Sequence, residues 1–493
     1  MRLLAASYSV LLGHLITASQ AQMPGNVYRP IFDNTLTPMI RNTPPGVLYA
    51  DKVGAMPSTL YSSTPHTINC PNALSNLQLS PPPRCISTNA ATYPPSSNQD
   101  IYSNREQKSS RLVTHMITFF GHFLSLDLGD LPINLTDTAN LDLPAGDNAF
   151  PESLTTNGTL FFGRAQYQLG SDGYRQAFNN ATFGLDGSAI YGSISSVSQT
   201  LRWANMRGKL RMTSLNNTEA LPIKLNGTYL LGASPARSMN IFTMAIQVIW
   251  MREHNRICDE LYVIHKDTWS EETYYQEARR RVIALIQKIT YTEYLGTVLG
   301  RWVSQDREIF KNSTPSTDNF FIGTTFRYGH SELSDTYRLV DTQGVYLKDF
   351  GLREIVDLSL IERIPLELLI RSAASQIQEE VDIYFPSMSM NYTNTKGSSY
   401  DIPAFDIQRG RDLGILRYND ARAAFGLSRK ASFEDISSVP DVQNRLKMMY
   451  GTVDRVESYM GGLEENKIPG SLFGELLCAS LEIQFVKIRK LDE

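Results

Sequence analysis

The sequence predicts a mainly α fold, a single large helical domain with an irregular N-terminal arm and very little β. Three observations carry this expectation. Apolar residues recur at helical spacing over long runs, with the strongest periodicity over residues 111–128, 240–264 and 269–299. Residues 22–105 are instead rich in Pro, Ser, Thr and Asn and show little periodicity, which reads as an arm wrapped on a larger body. Strand signals are few and brief, and there is no internal repeat or low-complexity tract.

The chain has 493 residues, 42% of them hydrophobic, enough to bury a large core. Its formal net charge is −4, so it carries no electrostatic footprint for nucleic acid or an anionic membrane surface. The start, Met1-Arg2-Leu3-Leu4, leads into an apolar segment through Ile16 and then Ser19-Gln20-Ala21. This is the pattern of a secretory signal over residues 1–21, cleaved after Ala21. A membrane anchor is the competing reading, but the segment falls short of the ~20 apolar residues that a span needs. No later stretch would cross a bilayer. Sequons at Asn134, Asn157, Asn180, Asn216, Asn226, Asn312 and Asn391 agree with a secreted, extracellular chain. Cys70, Cys85, Cys258 and Cys478 allow three pairings, of which Cys70–Cys85 is the most natural because both lie in one loop-rich stretch. Cys258 lies in a helical run and suits a buried thiol.

Along the chain, the predicted helix over 111–128 places His115, Thr118, His122 and Ser125 at i, i+3, i+7 and i+10. They form one polar stripe on an otherwise apolar helix, which must face water or a polar cavity. Residues 131–169 are loop-like. The run Thr182-Phe183-Gly184-Leu185-Asp186-Gly187-Ser188 alternates oxygen-bearing positions at 182, 184 (through its carbonyl), 186 and 188. An extended loop of this kind can aim its oxygens to one side, as Ca²⁺ requires; on spacing alone a Gly/Asp turn is the plainer reading. The helix over 240–264 contains Arg252-Glu253-His254-Asn255-Arg256, where His254 reads as a structural hydrogen-bonding group. The helix over 269–299 begins at Ser270-Glu271-Glu272, a capped start. Shorter helices are expected over 352–361, 366–381, 418–425 and 439–449.

Several of these runs together carry a resemblance. The segment 240–260 with its Arg-Glu-His-Asn-Arg run, Phe326-Arg327-Tyr328-Gly329-His330, the loop 182–193 ending in Ile190-Tyr191-Gly192-Ser193, and Asp406-Ile407-Gln408-Arg409-Gly410-Arg411-Asp412 resemble the animal (peroxidase–cyclooxygenase) haem peroxidase family. Tyr450-Gly451-Thr452-Val453-Asp454 and Gly461-Gly462-Leu463 continue the resemblance in the same order, so that it covers residue 100 onward and gives a peroxidase-like domain over 106–493. Secreted invertebrate peroxidases are the most similar in order and spacing. The resemblance implies haem b held by His330 as proximal iron ligand, with Arg327 pairing a haem propionate. It also implies Ca²⁺ held by Thr182, Gly184, Asp186 and Ser188, with Asp127 supplied by the preceding helix. Asn180, two residues before that loop, is then a sequon that the fold keeps bare.

The departures from the family pattern bear on activity. Gly121-His122-Phe123-Leu124-Ser125-Leu126-Asp127 aligns with a family run of the form G-Q-F-L-D-H-D, so Leu126 stands at the distal histidine. General acid–base help of that kind is worth ~10²–10⁴ in rate, and leucine supplies none. His122, one helical turn back, can substitute for it or merely line the pocket. Arg237 is nearest to the distal arginine, although its spacing to Arg252 is one residue short of the family's. Ser125 stands where some members ester-link haem through a carboxylate, and residues 237–244 contain no Asp or Glu, so the haem is expected to be non-covalent. Asp406 replaces an asparagine beside the proximal histidine, which gives the imidazole more imidazolate character. Arg327 occupies the position of the cyclooxygenase branch's radical tyrosine, which argues against that branch. The chain also stops short of the usual family ending. The expected function is a secreted haem peroxidase-like oxidoreductase that uses hydrogen peroxide to oxidise a reducing substrate, weakened at Leu126. The alternatives are a non-catalytic haem-binding protein with an extracellular matrix or adhesion partner, and a haem-free structural relative.

Overall fold

The computed structural model describes residues 107–143, 158–169, 175–215, 218–233, 240–301, 316–393 and 399–491, together with Phe150, Val303 and the short strand Thr37–Pro38. The expected signal segment, most of the arm, Cys70, Cys85, Arg237 and the sequons at Asn157, Asn216 and Asn312 lie outside the described residues.

The architecture is mainly α, as expected. The principal helices are α1 (His115–Leu128), α2 (Ile241–His265), α3 (Glu271–Ile289), α4 (Leu366–Ser375), α5 (Ile402–Asp412), α6 (Tyr418–Ala424), α7 (Pro440–Tyr450), α8 (Ser458–Glu464) and α9 (Glu475–Leu491). α1 lies against α2 and α4 inside one continuous apolar core. Phe119 of α1 stacks on Phe242 of α2 with ring centroids 4.6 Å apart, a pair worth about 0.5–1.5 kcal/mol beyond its burial.

Local chemistry sets where these helices begin and end. α1 starts four residues later than expected because Leu112 adopts φ 56 and Thr114 bridges Ile377; the His115 N–H donates to the Gln376 carbonyl. α2 starts at its cap, where the Asn240 side chain accepts from the Thr243 N–H. α3 is capped by Ser270, then passes through a π-helical turn, Thr290–Tyr294, into Leu295–Leu299. Gly300 ends that run at φ 67, and a Cβ there would sit 2.0 Å from the Gly470 carbonyl oxygen, so only glycine fits. The helix expected over 352–361 divides into Leu352–Ile355 and a 3₁₀ turn, Leu358–Glu362, because the Asp357 carboxylate caps Ser359 between them. α4 stops at Ser375, since the next residues pair with the stretch before α1 instead. α5, α8 and α9 were not expected. α5 conceals itself with Pro403 at its start and Gly410 within, and α9 is buried on most sides and shows little polar face.

The β content is small antiparallel pairs. Ile133–Thr138 pairs with Gly163–Ala165, and Leu141–Asp142 with Thr159–Leu160, inside the region expected to be loop. A hairpin joins Thr336–Val340 to Tyr346–Gly351. Thr37–Pro38 lies along Arg175–Asn179.

Candidate functional site

His330 ends a 3₁₀ turn, Thr325–His330, that follows the short helix Asn319–Gly323. The turn is anchored from below. Phe326 stacks on Phe321 (4.6 Å) and meets Phe485 of α9 edge-on, while the buried hydroxyls of Tyr328 and Tyr294 bond to each other. The His330 Nδ1–H donates to Asp406 Oδ2 at 2.6 Å. Asp406 is buried on α5, whereas the imidazole is 32% exposed. With Nδ1 committed to a carboxylate, Nε2 keeps its lone pair as a metal donor. Arg327 lies beside this pair, its Nε 4.0 Å from Asp406 Oδ1 and donating to the Ile322 carbonyl at 3.0 Å. The Tyr459 hydroxyl donates to the Arg327 carbonyl at 3.3 Å, and burial pushes that phenol well above its ordinary range. Arg409, one turn after Asp406, lies partly buried over the Phe162 ring; desolvation pulls its guanidinium down to about 10 despite the Asp412 carboxylate.

The polar stripe on α1 does not face solvent, and it divides in two. His115 and Thr118 belong to a buried network in which His115 Nε2 lies 2.9 Å from Ser334 Oγ, and the Thr118 hydroxyl donates to Gln378 Oε1 at 2.9 Å. Gln378 Nε2 in turn donates to Glu332 at 2.6 Å. Burial holds His115 down to about 3 and raises Glu332 to about 8. His122 points elsewhere, towards the start of α2. Its Nδ1 lies 3.0 Å from Thr243 Oγ1 and 3.4 Å from Asn240 Nδ2. The Ser125 hydroxyl donates to the His122 carbonyl, and Leu126 is buried at 3% exposure. α1 approaches closely here, since a Cβ on Gly121 would sit 2.7 Å from the Tyr294 hydroxyl.

The loop 182–188 and the end of α1 meet in a compact oxygen cluster. The Thr182 hydroxyl donates to Asp186 Oδ1 at 2.7 Å and the Ser188 N–H to the same oxygen at 3.1 Å. The Ser188 hydroxyl reaches Asp127 Oδ1 at 3.0 Å and the Asp127 carbonyl at 2.8 Å. Gly187 adopts φ 74, which turns the loop into the helical turn Ser188–Tyr191 and lets the Ala189 N–H donate to Asp127 at 2.9 Å. Gly184 is buried within the loop. Burial, then the charge of Asp186, raises Asp127 to about 7; burial also raises Asp186. Two neighbouring carboxylates, Asp127 fully buried and Asp186 partly so, with hydroxyl oxygens beside them form a donor set that suits a hard cation. Among the described residues no three His, Cys, Asp or Glu side chains converge.

Within the Arg252–Arg256 run, His254 is a structural hydrogen-bonding group, as expected. His254 is buried, its Nδ1 3.0 Å from the Tyr191 hydroxyl and its Nε2 3.0 Å from the Gly208 carbonyl oxygen, and burial holds it down to about 4. Cys258 is a buried thiol 3.6 Å from the same ring nitrogen. Asn240, Thr243, Tyr459 and Arg409 are the members of the site that sequence reasoning did not single out. Only Asn240 carried a signal, as a cap residue before a periodic run.

The model of the family described as animal haem peroxidase matches residues 25–493. The chain belongs to the animal haem peroxidase family. Its relatives include peroxinectin A of Dictyostelium discoideum, 30% identical over 62% of this chain and 60% of that protein. The chorion peroxidase of Drosophila melanogaster is 28% identical over 65% of this chain and 42% of that protein. Mus musculus thyroid peroxidase is 28% identical over 64% and 38%. The chain therefore spans about 40–60% of the length of these relatives. Peroxidase A from Dictyostelium discoideum superposes with a TM-score of 0.77, covering 94% of this chain and 91% of that one at 24% identity. An Oryza sativa fatty acid alpha-dioxygenase superposes at 0.67, covering 86% and 74% at 20% identity. Both likenesses concern the fold. Haem is the cofactor that this family implies, and His330 with Asp406 fits an iron centre: an imidazole oriented by a carboxylate at Nδ1 and partly exposed. No helix among the described residues is long and apolar enough to cross a membrane.

Proposed function

We propose that this chain is a secreted haem peroxidase-like oxidoreductase that uses hydrogen peroxide to oxidise a reducing substrate, with activity weakened at the distal position. The observation that carries the reading is the His330–Asp406 hydrogen bond, because a buried carboxylate aligned on one ring nitrogen is what a histidine ligand to iron requires of its surroundings. Haem, when bound, supplies the redox chemistry; the residues of the chain bind it, orient it and handle protons around it. His330 Nε2 is the iron donor, and the Asp406 charge strengthens it as a base and favours ferric and higher iron states. Arg327 takes a propionate, and Arg409 adds a second guanidinium on the same side. Haem b would be held without ester links, because Ser125 offers no carboxylate to form one and residues 237–244 contain no Asp or Glu. Thr182, Asp186, Ser188 and Asp127, with the Gly184 carbonyl, hold Ca²⁺ and so brace the end of α1.

On the distal side Leu126 excludes water but moves no proton, which leaves His122 and Arg237 to meet peroxide. A second reading is favoured by that same residue. With Leu126 in the distal position, the chain is a non-catalytic haem-binding protein with an extracellular matrix or adhesion partner. Stopped-flow spectroscopy of the secreted, haem-loaded protein mixed with hydrogen peroxide separates the two. A fast, peroxide-dependent shift of the Soret band supports the peroxidase. A stable ferric Soret band that only bleaches slowly supports the binding protein.

A further inference from the structure

Asn240, Thr243 and His122 meet at one ring nitrogen, and the cap of α2 determines what that nitrogen can be. Asn240 accepts the Thr243 N–H through Oδ1 at 2.9 Å. The amide orientation follows from this contact, so the end turned to His122 Nδ1, 3.4 Å away, is the NH₂ group. An amide NH₂ donates and cannot accept. A hydrogen on His122 Nδ1 would therefore face the hydrogens of Asn240, whereas a lone pair there accepts from them and from the Thr243 hydroxyl at 3.0 Å. A neutral imidazole carries one N–H, which places it on Nε2.

We propose that Asn240 and Thr243 hold His122 as the Nε2–H tautomer, so that His122 serves as a hydrogen-bond donor to a peroxide oxygen and not as the acceptor of its proton. The inference rests on the peroxidase reading above and makes the role of His122 specific. An Nε2–H can support negative charge developing on oxygen, but it has no lone pair with which to take a proton. Moving the hydrogen to Nδ1 would set it against Asn240. His122 then offers the distal side a donor and not a base, and Leu126, one turn further along the same face of α1, supplies neither. Asn240 and Thr243 are positioning residues, 118 and 121 residues away from the ring that they orient.

The test uses the full chain, labelled with ¹⁵N-histidine, loaded with haem and held as its diamagnetic ferrous carbon monoxide complex. His122→Gln assigns the ring signals. The expected wild-type spectrum shows a bare Nδ1 and a protonated Nε2. Asn240→Asp keeps a good cap but turns a carboxylate oxygen to the ring, and a hydrogen should then appear on Nδ1. Thr243→Val should leave the wild-type pattern in place, because Asn240 remains. The C–O stretching band should move to higher frequency in His122→Leu as the donor is lost. A hydrogen on Nδ1 in the wild type, or a pattern unmoved by Asn240→Asp, overturns the tautomer; an unmoved C–O band overturns the donor role. If Asn240→Asp does not fold, the wild-type and Thr243→Val spectra decide. If the protein takes up no haem, the peroxidase reading fails, and the same two nitrogen patterns in the haem-free protein still decide the tautomer.

Discussion

The His330 Nδ1 hydrogen points at Asp406 Oδ2 across 2.6 Å, joining two residues that are 76 positions apart on separate helical segments. Asp406→Asn keeps an oxygen for that hydrogen and removes only the charge. Its expected effect is a more positive ferric/ferrous potential, read by spectroelectrochemical titration, with haem still bound because the hydrogen bond is kept. An unchanged potential would show that the Asp406 charge does not reach the iron.

His330→Ala should abolish the normal Soret band of the haem-loaded protein, while circular dichroism still reports the helices. Added imidazole, entering the space vacated by the ring, is expected to restore part of the band. Retention of a normal band without imidazole would assign the iron ligand elsewhere.

Leu126→His returns a proton acceptor to the position facing the proposed site. The rate of reaction with hydrogen peroxide, followed by stopped flow, should rise by ~10²–10⁴. An unchanged rate would mean that the distal arginine, not the missing base, limits the reaction.

Chelation and mutation at the oxygen cluster should act with opposite signs. A calcium chelator is expected to lower the melting temperature of the wild type, because a cation bound only by the folded state at a hundred times its Kd adds about 2.7 kcal/mol. Asp186→Asn should melt below the wild type in calcium but above it in chelator, where it removes one of two neighbouring like charges. The same order in both buffers would argue against a cation at this site.

A second pair of buried carboxylates predicts a pH dependence. Burial raises Glu464 to about 7, and burial and then the Glu464 charge push Asp382 well up. The folded protein therefore holds protons on this pair that the unfolded chain releases in the ordinary carboxylate range. Stability from the pair is present at acid pH and is lost as pH rises towards and through about 7. Glu464→Gln keeps an acceptor for the Ile383 N–H and should gain on the wild type between pH 5 and pH 8, by on the order of 1–3 kcal/mol. Denaturant melts at the two pH values check it, and parallel curves would count against the pair.

Sequence periodicity located the body of α1 and the starts of α2 and α3, because caps at Asn240 and Ser270 adjoin strongly periodic runs. It could not place the start of α1, which depends on the positive φ of Leu112 and on a bridge to Ile377, nor α9, whose burial on most sides erases the polar face. The alternation Thr182, Asp186, Ser188 was visible locally, but its partner Asp127 lies 55 residues before Thr182, so spacing alone left a plain turn as the simpler reading. The polar stripe on α1 was legible as a pattern and not as a destination. Which of its members turn to Gln378 and which to Thr243 depends on the packing of distant segments.

Leu126 and Asp127 are consecutive residues of one rigid helical turn, both buried, the first at the proposed haem face and the second in the oxygen cluster. A change in either neighbourhood is transmitted through a single peptide unit. Reciprocity then applies to any two ligands seated there: by whatever factor a cation strengthens the hold on a porphyrin, the porphyrin strengthens the hold on the cation. Titrating either one in the presence and absence of the other would measure the same coupling from both ends.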